Sequence, residues 1–480
     1  MHSPSTGKHI HFIGIGGIGM SGLAIIAQSQ GYTVSGCDIA ISPEIASTLK
    51  EHDCIVYNHH CSAGCFADDI STVIYNTNIP KDHAELVRAQ AHNLTIMHRA
   101  ELLAFLMRNT YGIAVSGSHG KTTTTALIAH ILTYTHADPT VMVGGIVPSL
   151  GSNARTGSSK LFVAEADESD RSFLLLPATI KVVTNINFEH AETYKNFDDL
   201  KETFISFLTK NNNDNPMAIV CNDDAGIQAI LPALQPYRYI TYGLTEKSQV
   251  YASNLNLHPT CSTFQIHHTL ANQNSEVMLP IAGIHNVLNA LAAIASCIQY
   301  GISLADIVGA LASFKGVERR FCIRGHYKGA TVIDDYGHHP VEIKATLAVA
   351  RKFCTGKLIV FFQPHRFSRT QALWHDFITV FTHAPISQLI ITDIYAAFEE
   401  PIAGLDSIKL VQEIRNSQNS LYSFYTPDIE RNETSFYIPY EQIETYIHTS
   451  LEPLLSANDT LLFLGAGPLY EIALDLAYNQ

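Results

Sequence analysis

The stretch GIAVSGSHGKTTTTALIAHIL, residues 112–132, constrains the fold of this chain more than any other. It reads as an apolar strand, a glycine-punctuated loop and an apolar helix in immediate succession. Gly117, Gly120, Lys121 and Thr122 fall where a phosphate loop needs them. Backbone N–H groups of such a loop cradle phosphates, its lysine reaches the β/γ oxygens, and its hydroxyl can hold Mg²⁺. The spacing is G-x-x-G-K-T, two residues shorter than the commoner phosphate loop. A capped helix start with an exposed lysine is the plain alternative, since Ser and Thr also cap helices. The coincidence of strand, glycines, lysine and hydroxyl favours ATP.

A second glycine loop stands a hundred residues earlier. Strand-like HIHFI is followed by Gly14, Gly16, Gly17 and Gly19, and then by the helical run MSGLAIIAQSQ. G-x-G-x-x-G between a strand and a helix lets backbone N–H groups approach a pyrophosphate at a helix N-terminus. The strand YTVSGCD ends at Asp38, where an acid commonly accepts a hydrogen bond from a ribose hydroxyl. A plain tight turn remains the alternative, and the fingerprint reports pyrophosphate and ribose rather than nicotinamide.

Across all 480 residues, strand-like and helical runs alternate, which predicts layered α/β domains, and the length implies about three. Boundaries are expected near residues 1–109, 110–317 and 318–480. Residues 237–280 alternate as a small antiparallel sheet does, and NNNDNP at 211–216 is the most loop-like stretch. A net charge of −14 argues against a nucleic-acid binder. No apolar run reaches the ~18 residues of a membrane helix, and the start shows no basic-then-apolar leader. Nine cysteines without C-x-x-C pairs point to free thiols in a reducing cytoplasm. Cys61 and Cys65 are the nearest pair, and nothing close in sequence completes a zinc set.

Carboxylates and basic residues gather where strands end. LFVAEADESD places Glu165, Asp167, Glu168 and Asp170 on a loop edge, within reach of Mg²⁺ if the strands pair. VVTNINFEH adds Glu189 and His190. DDYGHHP and QPHRFSRT add Asp334, Asp335, His338, His339, Arg366 and Arg369. Arginines suit bidentate binding of a carboxylate, although a solvated pair is the plain alternative. These features admit an ATP-dependent enzyme, an NAD-dependent dehydrogenase that leaves GSHGKTTTT idle, or a nucleotide-binding regulator that leaves the acids and arginines unexplained.

GIGGIGMSGLA, GSHGKTTTT, EADESDRSF, HNVLNALAAIA, GVERRF, DDYGHHP and HRFSRT occur in that order across nearly the whole chain. In this the chain resembles the Mur ligases. The resemblance implies a Rossmann-like N-terminal domain, a central ATPase-type domain and a Rossmann-like C-terminal domain that closes over both nucleotides. It implies ATP-dependent ligation of L-alanine to UDP-N-acetylmuramate in peptidoglycan biosynthesis, by a cytoplasmic monomer or homodimer. A ligase that recycles a whole tripeptide shares the central motifs and is the nearest rival.

The first loop (Gly14, Gly16, Gly17, Gly19) with Asp38 would then hold the UDP-sugar. Gly117, Ser118, His119, Gly120, Lys121, Thr122 and Thr123 would bind ATP phosphates, Asn286 would contact adenine, and Asp335 would lie on the nucleotide side. Thr122 and Glu165 would hold one Mg²⁺ and His190 would help with a second. His338, Arg366 and Arg369 would line the alanine site, with His338 a possible amine base. Two departures stand out: Glu189-His190-Ala191-Glu192 where the family usually reads Asp-His-Met-Asp, and Ser118 where it commonly has Thr. No carbamylated lysine is matched.

Overall fold

The computed structural model describes residues 8–60, 65, 69–190, 192–210, 216–425 and 434–478, with backbone alone at 420–425. Cys61, Ala191 and most of NNNDNP lie outside these residues. The chain forms two compact units. One comprises residues up to Asn256 together with Ser262–Val317, and the other comprises Leu257–Cys261 together with residues from Glu318 onward.

The first unit holds two sheets. Strands β1 (His9–Ile13), β2 (Thr33–Cys37), β3 (Ile55–Tyr57), β4 (Ile70–Tyr75) and β5 (Thr95–His98) lie in the order β3-β2-β1-β4-β5. All neighbours run parallel. Chain order reverses between β1 and β4, and the loop after β1 opens at that switch point, where open α/β sheets bind ligands.

The second sheet has ten strands. They are β6 (Tyr111–Ser116), β7 (Thr140–Val147), β8 (Ser152–Arg155), β9 (Leu161–Glu165), β10 (Ile180–Val183), β11 (Met217–Cys221), β12 (Tyr239–Gly243), β13 (Val250–Leu257), β14 (Ser262–His268) and β15 (Gln273–Leu279). Their order is β15-β14-β13-β12-β11-β10-β6-β9-β7-β8. β6 sits mid-sheet between β10 and β9, parallel to both, so the loop after it opens onto the C-terminal edge of two neighbours. The strands at 250–279 are the edge of this same mixed sheet: β13 continues it in parallel from β12, and β14 with β15 forms an antiparallel hairpin. The helices Lys121–Tyr134 and Ile284–Tyr300 pack on one another, and every residue of Thr122–Leu132 is buried. Gly301 ends the second of these with φ +109°, the left-handed conformation that suits glycine at a helix end.

The second unit carries β16 (Cys322–Tyr327), β17 (Ala330–Asp335), β18 (Leu358–Phe362), β19 (Gln388–Ile391), β20 (Ser435–Tyr437) and β21 (Thr460–Leu464), in the order β16-β17-β21-β18-β19-β20. Side chains alternate between faces along a strand. Leu358, Val360 and Phe362 accordingly enter one core, while Ile359 and Phe361 enter the other. With both faces covered, this is again a doubly wound α/β sheet, so the three-domain α/β architecture expected from the sequence is present.

Candidate active site

The loop after β6 is shaped by its glycines. Gly117 has φ +126°, and a Cβ there would lie 2.2 Å from Thr184 Oγ1. Gly120 has φ +80°, and its Cβ would lie 2.4 Å from Asn289 Oδ1. Neither position accepts a side chain without displacement. Ser118 and His119 are spent on holding the loop to the end of β10. Ser118 N donates to Asn185 O (3.1 Å), His119 N to Asn185 Oδ1 (2.8 Å), and Asn187 N to Ser118 Oγ (2.8 Å). The first intrahelical bond runs from Thr124 N to Gly120 O at 2.9 Å. The N–H groups of Lys121, Thr122 and Thr123 therefore have no acceptor within the helix and stand ready for an anion.

Lys121 curls back over this loop. Its Nζ donates to Gly117 O (2.6 Å), Ser118 O (3.2 Å) and Glu168 Oε1 (2.9 Å). Burial works to lower its pKa, but Glu168, Asp167 and Glu165 outweigh burial and raise it, so the ammonium is permanent. Burial, with repulsion from Asp167 and Glu189, pushes Glu168 up to about 7 against the pull of Lys121. Glu165, at the end of β9, accepts from Thr122 Oγ1 (3.2 Å) and from Gly144 N (2.8 Å). His190, at φ +56°, brings Nε2 to 3.7 Å from Glu168 Oε1. Glu189 pairs with His119 at 3.2 Å.

These donors fit a magnesium ion. Thr122 and Glu165 present adjacent oxygens, and Glu168 Oε2 is buried with no hydrogen-bond partner among the described residues. A buried carboxylate oxygen left in that state is costly unless a cation meets it. Glu168 is the residue whose role the sequence did not assign; its only signal was its place in EADESD. The other two acids of that run turn the opposite way. Asp167 pairs with Arg99 (2.8 Å), and Asp170 accepts from Thr77 (2.8 Å) and lies 3.6 Å from His98. Both join the middle sheet to the C-terminal edge of the N-terminal sheet. Asn286 lies beside the phosphate loop, its amide bonded to Ala282 O (2.8 Å) and to Asn289 (3.2 Å). Asn289, which also meets Thr124 Oγ1 at 3.3 Å, is the packing partner beneath Gly120 that the sequence did not single out.

In the first loop, Gly14 N and Ile15 N donate to Cys37 O (2.8 and 3.1 Å). Asp38 braces the turn: its carboxylate accepts from Gly16 N (2.9 Å) and Ala40 N (2.9 Å). A Cβ on Gly16 would meet Asp38 Oδ2 at 2.9 Å, so this approach requires glycine. Gly17 is the N-cap of the helix Ile18–Ser29, and Gly19 lies in its first turn.

The second unit gathers a separate cluster. Asp335 is buried, and its oxygens accept from Phe321 N (2.8 Å), Gly337 N (2.8 Å) and Thr346 Oγ1 (3.0 Å). It therefore braces the turn after β17. Asp334 pairs with Arg324. His339 caps the helix Pro340–Phe353 in a capping box with Glu342. Burial holds His338 well below the usual imidazole range. The neutral ring places its proton on Nδ1, 3.1 Å from Tyr336 O, and leaves the lone pair on Nε2. The His338 and His365 rings stand 5.8 Å apart, and Arg369 Nη1 is 3.3 Å from both His365 O and His365 Nδ1. Burial, Arg369 and Arg366 press His365 down to about 4. Arg366 (φ +71°) instead sets its guanidinium 4.0 Å from Glu399. The structure thus brings Arg369 to His338 but directs Arg366 elsewhere. Arg319 of GVERRF, unassigned from sequence, donates to Gly465 O (2.9 Å) and Gly467 O (3.0 Å) beneath the rings of Tyr336 and Tyr470.

Comparison with known proteins agrees with this geometry. Residues 9–111 match the model described as Mur ligase family, catalytic domain, 115–297 the Mur ligase middle domain, and 319–467 the Mur ligase, glutamate ligase domain. The UDP-N-acetylmuramate–L-alanine ligase of Desulfotalea psychrophila is 44% identical over 96% of this chain and 95% of its own. That of Lawsonia intracellularis is 40% identical over 97% of each. The crystal structure of the UDP-N-acetylmuramate-alanine ligase of Thermotoga maritima superposes with a TM-score of 0.77 at 28% identity, covering 98% of both chains. A murein peptide ligase from Psychrobacter arcticus shares the fold, with a TM-score of 0.71 at 22% identity and 99% coverage of both chains. With a short phosphate loop that folds its lysine onto a buried glutamate, a first glycine loop at a switch point, and three matched domain models spanning the chain, this protein belongs to the Mur ligase family.

Proposed function

We propose that this chain is an ATP- and Mg²⁺-dependent ligase that joins L-alanine to the lactyl carboxylate of UDP-N-acetylmuramate. The observation that carries the reading is the presence of two distinct glycine loops, each between a strand and a helix, in one unit. One serves ATP and the other the UDP-sugar diphosphate. Relatives at 40–44% identity named for single-alanine addition favour alanine over a tripeptide. The tripeptide-type neighbour bears on the fold alone at 22% identity. The reading also places the protein in the cytoplasm, where ATP is at hand, as a monomer or homodimer. No helix among the described residues is long and apolar enough to cross a membrane.

A carboxylate does not condense with an amine at neutral pH, because oxide is a poor leaving group. The lactyl carboxylate oxygen attacks the γ-phosphorus of ATP, the bridging P–O bond breaks, and ADP leaves. The alanine amine then attacks the acyl carbon, phosphate departs, and one proton is lost from nitrogen. Lys121 and the N–H groups of Lys121, Thr122 and Thr123 hold the phosphoryl oxygens as charge redistributes. Magnesium, when bound by Thr122, Glu165 and Glu168 with His190 beside them, neutralises phosphate charge. Arg369 orients the alanine carboxylate, and neutral His338 accepts the amine proton at Nε2. No protein nucleophile is needed.

Phosphate release with ATP, Mg²⁺ and UDP-N-acetylmuramate, with each amino acid or the tripeptide added in turn, tests the reading. L-Alanine should drive turnover. Turnover with tripeptide alone would replace this reading with the recycling ligase.

A further inference from the structure

The N-terminal sheet buries a set of ligand-type side chains that no step of the ligation uses. His11 stands on β1, Cys37 ends β2, and Glu85 lies in the first turn of the helix Ala84–Ala91; all three are fully buried. Strand register brings the first two together. His11 pairs with Ser35 and Ile13 with Cys37, so His11 and Cys37 share one face of the sheet. The ligand atoms of His11, Cys37 and Glu85 all lie within 4.8 Å of one another. Cys37 Sγ is 2.9 Å from Glu85 Oε2 and 2.9 Å from His60 Nδ1. Glu85 Oε2 is 3.9 Å from His11 Nε2 and 3.8 Å from His60 Nδ1. A tetrahedral zinc ion with bonds of about 2.0–2.3 Å spaces its donors about 3.3–3.8 Å apart. The observed separations bracket that edge length.

A hydrogen-bond chain orients the ring of His11. Asp69 Oδ1 lies 2.9 Å from His9 Nδ1, His9 Nε2 lies 2.8 Å from Ser35 Oγ, and Ser35 Oγ lies 2.8 Å from His11 Nδ1. A carboxylate only accepts, so His9 Nδ1 carries a proton. Ser35 Oγ sits between His9 Nε2 and His11 Nδ1 and holds both rings in place. With Nδ1 held by Ser35, Nε2 is the His11 atom that faces Glu85, at 3.9 Å. Fixing a histidine through its other ring nitrogen is also how proteins orient metal-bound imidazoles.

We propose that His11, Cys37 and Glu85, with His60 as fourth donor, form a buried zinc site in the N-terminal domain. A thiolate, imidazoles and one carboxylate suit zinc, whereas Mg²⁺ takes oxygen. On binding, the Zn–S bond forms as the Cys37 S–H proton leaves to solvent, and no electron changes hands. The ion ties together β1, β2, the segment after β3 and the helix Ala84–Ala91. It also fixes the strand end whose Cys37 carbonyl holds Gly14 N–H and Ile15 N–H, directly beneath the first glycine loop.

The test strips metal from the full chain with a chelator, adds excess Mg²⁺ to saturate oxygen sites, and titrates Co²⁺ followed by Zn²⁺. One equivalent of Co²⁺ should give a thiolate-to-cobalt charge-transfer band, bleached by one equivalent of Zn²⁺, and zinc should raise the melting temperature. The band should be absent in Cys37→Ser and retained in Cys54→Ser, a buried thiol outside the set. Ser35→Ala, which removes the link that orients His11, should weaken zinc binding about 10- to 100-fold. No charge-transfer band in the wild-type chain overturns the proposal whatever the variants do. A band that persists in Cys37→Ser assigns the thiolate elsewhere and also overturns it.

Discussion

Lys121→Met tests whether the buried pair at the phosphate loop is organised as described. Lys121 Nζ lies 2.9 Å from Glu168 Oε1, with the side chains 17% and 2% exposed. Glu168 is raised from 4.5 to about 7 even with the lysine present. A carboxyl raised in the folded state binds more protons folded than unfolded, so its contribution to stability falls as pH climbs from 4.5 towards the folded value. In the wild type that fall stops near pH 7, where Glu168 ionises beside an ammonium. In the variant the ammonium is gone, the folded value moves higher, and the fall continues. Below pH 7 the carboxyl is protonated in both proteins, and the variant lacks the bonds from Nζ to two backbone carbonyls and to the carboxyl oxygen, together about 1.5–4.5 kcal/mol. Above pH 7 the gap widens by about 1.4 kcal/mol per pH unit, hence about 2 kcal/mol by about pH 8.5. Its ceiling is the roughly 3–5 kcal/mol of a buried pair broken with the remaining charge intact. For a unit this large, 2 kcal/mol widens the melting gap by about 3 °C. Calorimetric melting of both proteins at about pH 6, 7 and 8.5, without nucleotide, measures it. A gap that is constant across this range refutes the argument. In Lys121→Met/Glu168→Gln the widening above pH 7 should vanish, because this pair no longer titrates.

The two glycine loops should separate cleanly. Gly117→Ala, whose Cβ would sit 2.2 Å from Thr184 Oγ1, should abolish ATP turnover and leave UDP-sugar affinity intact by equilibrium dialysis. Gly16→Val should do the reverse, and saturable NADH binding by the wild type would contradict the assignment of that loop. Arg369→Ala should raise the alanine KM roughly 10- to 150-fold while acyl phosphate still forms, with lysine rescuing only in part. Arg366→Ala should do less, because its guanidinium is set against Glu399; equal KM changes in initial-rate assays would show that both arginines bind the carboxylate. His338→Gln should lower kcat by about 10²–10⁴ if Nε2 takes the amine proton. The wild-type kcat profile should show no acid limb from this group near 6.5, since burial lowers its pKa well below that value.

Much of the site was legible because its signals are local. A phosphate loop is a run of adjacent residues, so Gly117, Gly120, Lys121 and Thr122 declared themselves, and the strand before them and helix after them followed from the apolar pattern. Chemistry held at a distance was harder to read. EADESD offered four carboxylates of equal standing, and only the loop's path decides that Glu165 meets Thr122 and Glu168 meets Lys121 while Asp167 and Asp170 face Arg99, Thr77 and His98. The oxygens of Asp38 and Asp335 receive backbone N–H groups of the turns they stabilise, a use that leaves no mark in composition or spacing.

The His11, Cys37, His60 and Glu85 cluster is the limiting case. Its members are separated by about 25 residues each, far outside any metal-binding spacing, and the nearest cysteine pair in sequence pointed elsewhere. What unites them is the parallel register of β1 and β2, which places alternate residues of adjacent strands on one face, together with a helix start that drops Glu85 onto that face. On the central β1 of a doubly wound sheet, positions 9 and 11 are buried and would ordinarily be apolar. Two histidines there are met by polar groups: His9 by Asp69 and Ser35, and His11 by Ser35 and, at 3.9 Å, Glu85. The gathering of a thiol, a carboxyl and an imidazole within 4.8 Å of one another is the reason to look for a cation at this face rather than to treat the histidines as filler.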